Sequence, residues 1–165
     1  MKLISSELII CNTTPLLYLY QLDLLSILHD ICDRIIVPQA VVEELRVGGK
    51  QGIEVPNVLL FDWIEIRSPL SNSARPLIQD LGDGETEVLL LALENPGSLV
   101  ILDDNHARTY AQLNKIPVIG TCGILLKAKS EGYINQLTPI LDILERKGFY
   151  ISKEFKQLVI RLAHE

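Results

Sequence analysis

Basic residues are scarce in this chain: 15 Lys and Arg stand against 21 Asp and Glu in 165 residues, a formal net charge of -6. That excludes a protein that holds nucleic acid by bulk positive charge, because such binders present a basic face. It does not exclude an enzyme that meets nucleic acid briefly through a few local Lys and Arg. Cysteine is scarce too. Cys11, Cys32 and Cys122 are odd in number, far apart and without a C-x-x-C pair, so neither a disulfide framework nor a zinc site is indicated. A reducing, cytoplasmic setting fits that usage. Long apolar runs are missing as well. The longest is Val88 to Leu93, and the short stretch Leu8 to Cys11 is bounded by Glu7 and by Asn12 and Pro15, so neither a signal peptide nor a membrane span is expected. Trp63 and the tyrosines are too scattered for a base-stacking platform. There are no repeats, and 48% hydrophobic residues is the opposite of the disordered signature.

What is present reads as alternating strands and helices. Leu8–Cys11 is a buried strand, and Thr14 with Pro15 behind it supplies a helix start. Leu16–Tyr20 and Leu22–His29 follow as short helices, the second capped by Asp23. Arg34–Val37 is a strand, and Pro38 begins a helix through Leu45 that Gly48 and Gly49 end. Gly48 to Asn57 is a loop. Trp63–Arg67 alternates like a half-exposed edge strand. Ser71–Leu81 is a short helix interrupted by Pro76, and Gly82–Gly84 is a turn before a helix over Glu85–Glu94 with Val88, Leu89, Leu91, Ala92 and Leu93 inside. Leu99–Leu102 is a buried strand leading into a helix from Asn105 to Leu113. Pro117–Ile119 is a short strand, and Thr121 caps a helix to Glu131. Helices over Thr138–Lys147 and Ser152–Ala163 complete the chain. Unbroken apolar strands each followed by a helix indicate a parallel sheet covered on both faces, a three-layer α/β/α fold with a central, mostly parallel sheet. Residues 1–165 read as a single domain, with 135–165 as a C-terminal helical extension.

In open parallel sheets the ligand crevice lies at the carboxyl ends of the strands. Asn12-Thr13-Thr14 and Asp103-Asp104 fall there. Glu43-Glu44 and Glu85 with Glu87 sit on helices entering nearby. Carboxylates gathered in one crevice repel one another, and a hard divalent cation removes the conflict. Oxygen donors without His or Cys favour Mg²⁺ or Mn²⁺ over zinc. The chemistry that uses such a pocket is metal-assisted phosphodiester hydrolysis.

Five blocks carry a family resemblance. They are Leu8-Ile9-Ile10-Cys11-Asn12-Thr13-Thr14-Pro15, Ile36-Val37-Pro38-Gln39-Ala40-Val41-Val42-Glu43-Glu44-Leu45, Gly82-Asp83-Gly84-Glu85-Thr86-Glu87-Val88, Leu99-Val100-Ile101-Leu102-Asp103-Asp104-Asn105-His106 and Ile116-Pro117-Val118-Ile119-Gly120-Thr121. In order and spacing, from about residue 7 to residue 130, they resemble the PIN domain. With Lys147-Gly148-Phe149-Tyr150-Ile151-Ser152, the chain is similar to a prokaryotic PIN branch of predicted nucleases related to VapC-type toxins. The resemblance implies a Mg²⁺- or Mn²⁺-dependent endoribonuclease whose acids are Glu44, Glu85 and Asp103, with Asp104 as a helper. Thr13 or Thr14 takes the place of a hydroxyl residue. It also implies RNA as substrate, a homodimer and a small antitoxin protein as partner. The chain departs from the pattern at Asn12, where Asp is usual. An amide oxygen still coordinates a hard cation, but it brings no charge and is no base.

Plainer roles compete at each position. Asn12 also suits a turn residue bonding local backbone. Glu43 and Glu44 are adjacent on a helix, so one faces solvent, and the resemblance assigns the inward place to Glu44. Glu85 and Glu87 suit the first turn of a helix, where carboxylates offset the macrodipole. One of Asp103 and Asp104 is needed as an N-cap, which leaves the other for chemistry. His106, Arg108 and Lys115 fit either phosphate contact or a solvated face. Two other classes stay open: a catalytically weak or inactive RNA- or protein-binding module, following from Asn12, and, ranked below it, a receiver-like signalling domain.

Overall fold

The computed structural model describes residues 8–75 and 78–165. Within them five strands, β1 (Ile9–Cys11), β2 (Ile35–Pro38), β3 (Ile64–Arg67), β4 (Leu99–Ile101) and β5 (Val118–Ile119), form one sheet in the order β3-β2-β1-β4-β5. Every pairing is parallel, with Ile10 beside Ile36 on one side of β1 and Cys11 beside Ile101 on the other. Strand propensity and burial agree here. The residues of β1, β2 and β4 are all buried, which is why they read as continuous apolar runs rather than alternating ones. Their two faces feed two cores. Ile9, Cys11, Ile35, Val37, Leu99 and Ile101 point into one, and Ile10, Ile36, Val100 and Leu102 into the other.

The first three strands step one way across the sheet and the last two step the other way. Right-handed crossovers therefore put the connecting helices on opposite faces. α1 (Thr13–Gln21), α2 (Ser26–Cys32) and α3 (Gln39–Lys50) contribute to the first core, joined there by α6 (Thr121–Ser130), α7 (Thr138–Arg146) and α8 (Lys153–Leu162). The second core belongs to α4 (Asp83–Glu94) and α5 (Asn105–Leu113). This is the expected three-layer α/β/α architecture with a parallel central sheet. The direction of travel reverses between β1 and β4, and their carboxyl ends frame the crevice. Among the described residues no helix is long and apolar enough to cross a membrane.

Several boundaries differ from the sequence pattern, each for a local reason. The N-cap of α1 is Asn12 rather than Thr14, so Pro15 sits two residues inside the helix start. Its missing N–H is one that a first turn leaves unpaired anyway. Asp23 caps nothing. It takes a left-handed turn conformation (φ 58°) between α1 and α2, a conformation Asp tolerates. Gly48 and Gly49 do not end α3, which runs to Lys50. Their bare backbone lets Ile53 and Val55 fold back, since a Cβ on Gly49 would lie 3.1 Å from Val55. The described residues of 71–81 carry no α-helix, and Pro76, on which that expectation partly rested, lies outside the described residues. Gly82–Gly84 is not a separate turn: Gly82 is the N-cap of α4 and Asp83 its first residue. Leu93 is exposed, while Leu90 takes its place in the core. Gly120, not Thr121, caps α6.

The C-terminal helices pack into the first core through Leu137, Leu141, Leu144, Val159 and Ala163. Glu165 fastens this region. Its carboxylate accepts from the N–H groups of Leu137 and Thr138, the Thr138 hydroxyl and the Lys129 ammonium. These donors, Lys129 first, hold its pKa down at about 2 against an ordinary value of 4.5. A depressed folded-state value means stability that is present above about 4.5 and lost as pH falls toward 2. Glu165→Ala is expected to cost about 1 kcal/mol at neutral pH, a usual figure for a lost helix cap. The melting-temperature gap to the parent should close over that acidic window, and a gap independent of pH would contradict the assignment.

Candidate active site

The crevice at the ends of β1 and β4 is built by four chain segments. Asn12 ends β1 in extended backbone, and its own N–H donates to the Ile101 carbonyl at 3.0 Å. Its side chain makes no local cap bond. Instead Nδ2 donates to Glu85 Oε1 at 3.1 Å, across 73 residues of chain. The turn-residue reading of Asn12 is thereby overturned. At 1% exposure, its Oδ1 is buried and without a hydrogen-bond partner among the described residues. A buried acceptor left open costs about 1–3 kcal/mol, so it calls for a donor or a cation.

Glu44 is brought to the same place from α3. The Thr13 hydroxyl donates to Oε2, and the backbone N–H of Gly84, in the first turn of α4, donates to Oε1 at 2.8 Å. Glu43 points outward and pairs with Arg46, which lowers the Glu43 pKa. Glu87 returns the favour that Glu44 does for α4: its Oε2 accepts from Ala40 N at 2.9 Å, in the first turn of α3. Two helix N-termini thus exchange carboxylates, satisfying N–H groups that neither helix can satisfy alone. Glu87 does not take the first-turn place on its own helix that the sequence suggested: it lies beyond the first turn of α4 and caps α3 instead.

Space for a Cβ is tight where these groups converge. A Cβ on Gly84 would stand 2.7 and 2.9 Å from the two Glu44 oxygens and 3.0 Å from Asn12 Oδ1, and one on Gly82 would stand 2.6 Å from Glu85 Oε2. Gly-Asp-Gly read in the sequence only as a turn. Its function in the fold is clearance for oxygen atoms.

Asp103 occupies a second half of the crevice. It accepts from Thr121 N at 2.8 Å and from the Thr121 hydroxyl at 2.6 Å. Burial pushes its carboxyl up, and the Thr121 bonds and the Arg108 guanidinium pull it down without cancelling the rise. Arg108 is no solvated residue. Its Nη1 donates to the Leu102 carbonyl at 2.9 Å, and a Cβ on Gly120 would lie 2.9 Å from both Arg108 and Asp103. Asp104 is the N-cap of α5, accepting from Ala107 N at 2.8 Å, which settles which of the two acids is the cap. Thr14 is half-buried in the first turn of α1, and His106 is exposed on α5. The thiols beside this region are inert: burial raises Cys11 well above its ordinary value and Cys122 to about 12, so neither is a thiolate at neutral pH.

Of the sequence-derived residues, the structure gathers Asn12, Thr13, Glu44 and Glu85 into one oxygen-lined corner, and sets Asp103 with Arg108 beside Thr121. Among the described residues no three His, Cys, Asp or Glu side chains stand close enough together to hold a metal ion. Each acid instead rests on its own donor: Glu44 on Thr13 and Gly84, Glu85 on Asn12, Asp103 on Thr121. The donor chemistry nevertheless fits a hard divalent cation, since the corner offers carboxylate oxygens and the open amide oxygen of Asn12, with no nitrogen or sulfur ligand. Thr121 was missed as a partner of Asp103. The rule that found Asn12 and Asp103 also reaches it, because it lies just beyond the carboxyl end of β5.

A family model described as PIN domain matches residues 8–165. No curated protein and no solved structure matches the chain.

Two variants test this geometry without reference to activity. Gly84→Val, whose helix propensity is close to that of Gly, drives its methyl groups into the Glu44 oxygens, which can yield only by leaving Thr13 and the Gly84 N–H; it should destabilise the metal-free protein by about 1–3 kcal/mol, the range for overpacking, and a neutral result would contradict the close approach. Asp103 carries a raised folded-state pKa, so the folded chain holds its proton more tightly and stability falls as pH rises from about 3.8 through the raised value. Asp103→Asn keeps a partner for Thr121 and removes that slope. It should raise the melting temperature of chelator-treated protein at neutral pH, and a fall would mean that the charged bonds outweigh burial.

Proposed function

The chain belongs to the PIN-domain family, and from that premise we propose that it is a metal-dependent endoribonuclease of toxin-like type, hydrolysing RNA phosphodiester bonds. PIN domains are generally nucleases and usually use divalent metals. The single observation that carries the reading is the corner where the open, buried Asn12 Oδ1 meets Glu44 and Glu85 at the carboxyl end of the sheet.

Asn12 Oδ1, Glu44, Glu85 and Asp103 would hold Mg²⁺ or Mn²⁺, with Asp104 on the margin. The ion would polarise a phosphoryl oxygen and acidify an attacking water. The chain's own residues do the remainder. Thr13 and the Gly84 N–H orient Glu44, Thr121 orients Asp103, and Asn12 Nδ2 orients Glu85. Arg108, with Thr14 and His106, would face the substrate phosphates, and Arg108 also offsets the charge of Asp103. RNA is the proposed substrate, a small antitoxin protein and a second copy are the proposed partners, and the cytoplasm is the proposed location.

Asn12 sets how tightly the ion is held. In Asn12→Asp the amide that donates to Glu85 becomes a carboxylate facing it. In chelator this variant should melt below the parent, and saturating Mn²⁺ should close or reverse the gap, because ligand charge count governs affinity for hard cations. RNA cleavage by the parent should require Mn²⁺ or Mg²⁺ and fall about 10–100-fold in Asp103→Asn and Glu44→Gln, the scale on which metal-site changes act. If Mn²⁺ neither stabilises the parent nor supports cleavage above the Asp103→Asn background, the chain is a PIN-fold binding module and the nuclease reading fails.

A further inference from the structure

This acidic chain carries a basic stretch between its last two helices. Arg146-Lys147-Gly148-Phe149-Tyr150-Ile151-Ser152-Lys153 holds three cations and no acid, against 15 Lys and Arg to 21 Asp and Glu in the whole. Arg146, Lys147 and Lys153 are exposed, and none of them has an ion pair among the described residues. Lys153 opens α8, where the helix dipole disfavours a cation.

The fold turns this stretch toward the crevice. Phe149 meets Tyr18 edge to face, with ring centroids 5.2 Å apart, and a Cβ on Gly148 would lie 3.7 Å from the Tyr18 hydroxyl. Tyr18 is half-buried on α1, one helical turn beyond Thr14 and about 6 Å along the axis from it. Burial, and after it the charge of Asp103, push the Tyr18 hydroxyl up, so this ring borders the Asp103 side of the crevice. The turn is held from inside, because Phe149 packs against the first core and Ile151 enters it. Tyr150 stands between those two anchors and is 85% exposed. Aromatic rings that are scattered in the sequence are thus brought with free cations to one rim of the crevice.

We propose that residues 146–150, seated on Tyr18, grip single-stranded RNA where it leaves the crevice, with Tyr150 stacking on a base and Arg146 and Lys147 meeting phosphates. Cations beside an exposed ring fit a strand whose charge repeats along its backbone and whose unpaired bases show flat faces. A duplex keeps those faces stacked on one another. An acidic peptide would use the cations and leave Tyr150 bare. The proposal rests on RNA as the ligand of the crevice, and it adds a binding subsite on the C-terminal helical region, apart from the corner assigned to the ion.

Fluorescence anisotropy of the full chain with a labelled oligouridylate of about ten nucleotides, within the usual single-strand site size, tests it. Chelator keeps the RNA uncut. The parent should bind this strand more tightly than a duplex of the same length. Tyr150→Ala should weaken single-strand binding about tenfold, the scale of one lost base stack, and leave its salt dependence unchanged. Lys147→Gln should lower the slope of log affinity against log salt by about 0.7, the share of one phosphate contact on a single strand. Both positions are exposed, and unchanged melting curves confirm folding. Polyglutamate at equal charge should not displace the RNA. A parent that does not bind or that prefers the duplex, a Tyr150→Ala variant as tight as the parent, an unchanged slope in Lys147→Gln, or displacement by polyglutamate overturns the proposal. Because binding is read without metal, these effects in a chain that never cleaves RNA uphold the proposal and sink the nuclease reading. Cleavage by a chain whose RNA binding ignores Tyr150→Ala does the reverse.

Discussion

The N-termini of α3 and α4 each leave backbone N–H groups that no turn of their own helix can pair, and each helix lends the other a carboxylate. Glu44 of α3 accepts from Gly84 of α4, and Glu87 of α4 accepts from Ala40 of α3. This exchange fixes the two helix ends beside each other at the carboxyl edge of the sheet, although the helices lie on opposite faces of it. Thr13 ties the end of β1 into the same arrangement through Glu44, and Asn12 ties it to Glu85. The site is a by-product of how two helix starts are satisfied, which is why its acids come from segments so distant in sequence.

The same arrangement sets the energetics of the corner. Placing Asp103 at this edge is costly by burial, which pushes its carboxyl up. The metal-free chain limits that cost by giving each carboxylate a local donor. What it does not satisfy is Asn12 Oδ1. An open amide oxygen held among carboxylates is a local sacrifice of stability of the kind that functional sites make.

Much of this was legible in the residues, and the limits of legibility have physical causes. The buried strands announced themselves as apolar runs because both faces of the sheet are covered. Asp103-Asp104 and Asn12 could be placed at the crevice because a parallel sheet fixes where strands end. Long-range hydrogen bonds could not be read. Thr14-Pro15 looks like a helix start on local rules, yet Asn12 begins the helix because its backbone continues β1 while its side chain goes to Glu85. Gly48 and Gly49 look like a stop, yet the helix runs through them because Val55 packs on their bare surface. Thr121 looks like a cap, yet its hydroxyl and N–H go to Asp103. In each case a tertiary contact outbid a local preference. The separation of Glu44 from Glu43 was visible as a necessity, since adjacent helical residues face apart, while the choice between them required the family resemblance. Glu87 as a cap for α3 had no sequence signal at all.

The central claim is that Asn12 Oδ1 and the carboxylates of Glu44 and Glu85 form a corner for a hard divalent ion. Anomalous diffraction from crystals soaked in Mn²⁺ measures this directly. A Mn²⁺ peak is expected between Asn12 Oδ1, Glu44 and Glu85, with oxygen distances of about 2.0–2.3 Å as hard-cation coordination requires. A fully soaked crystal with no peak there, or with its peak elsewhere on the chain, would contradict it.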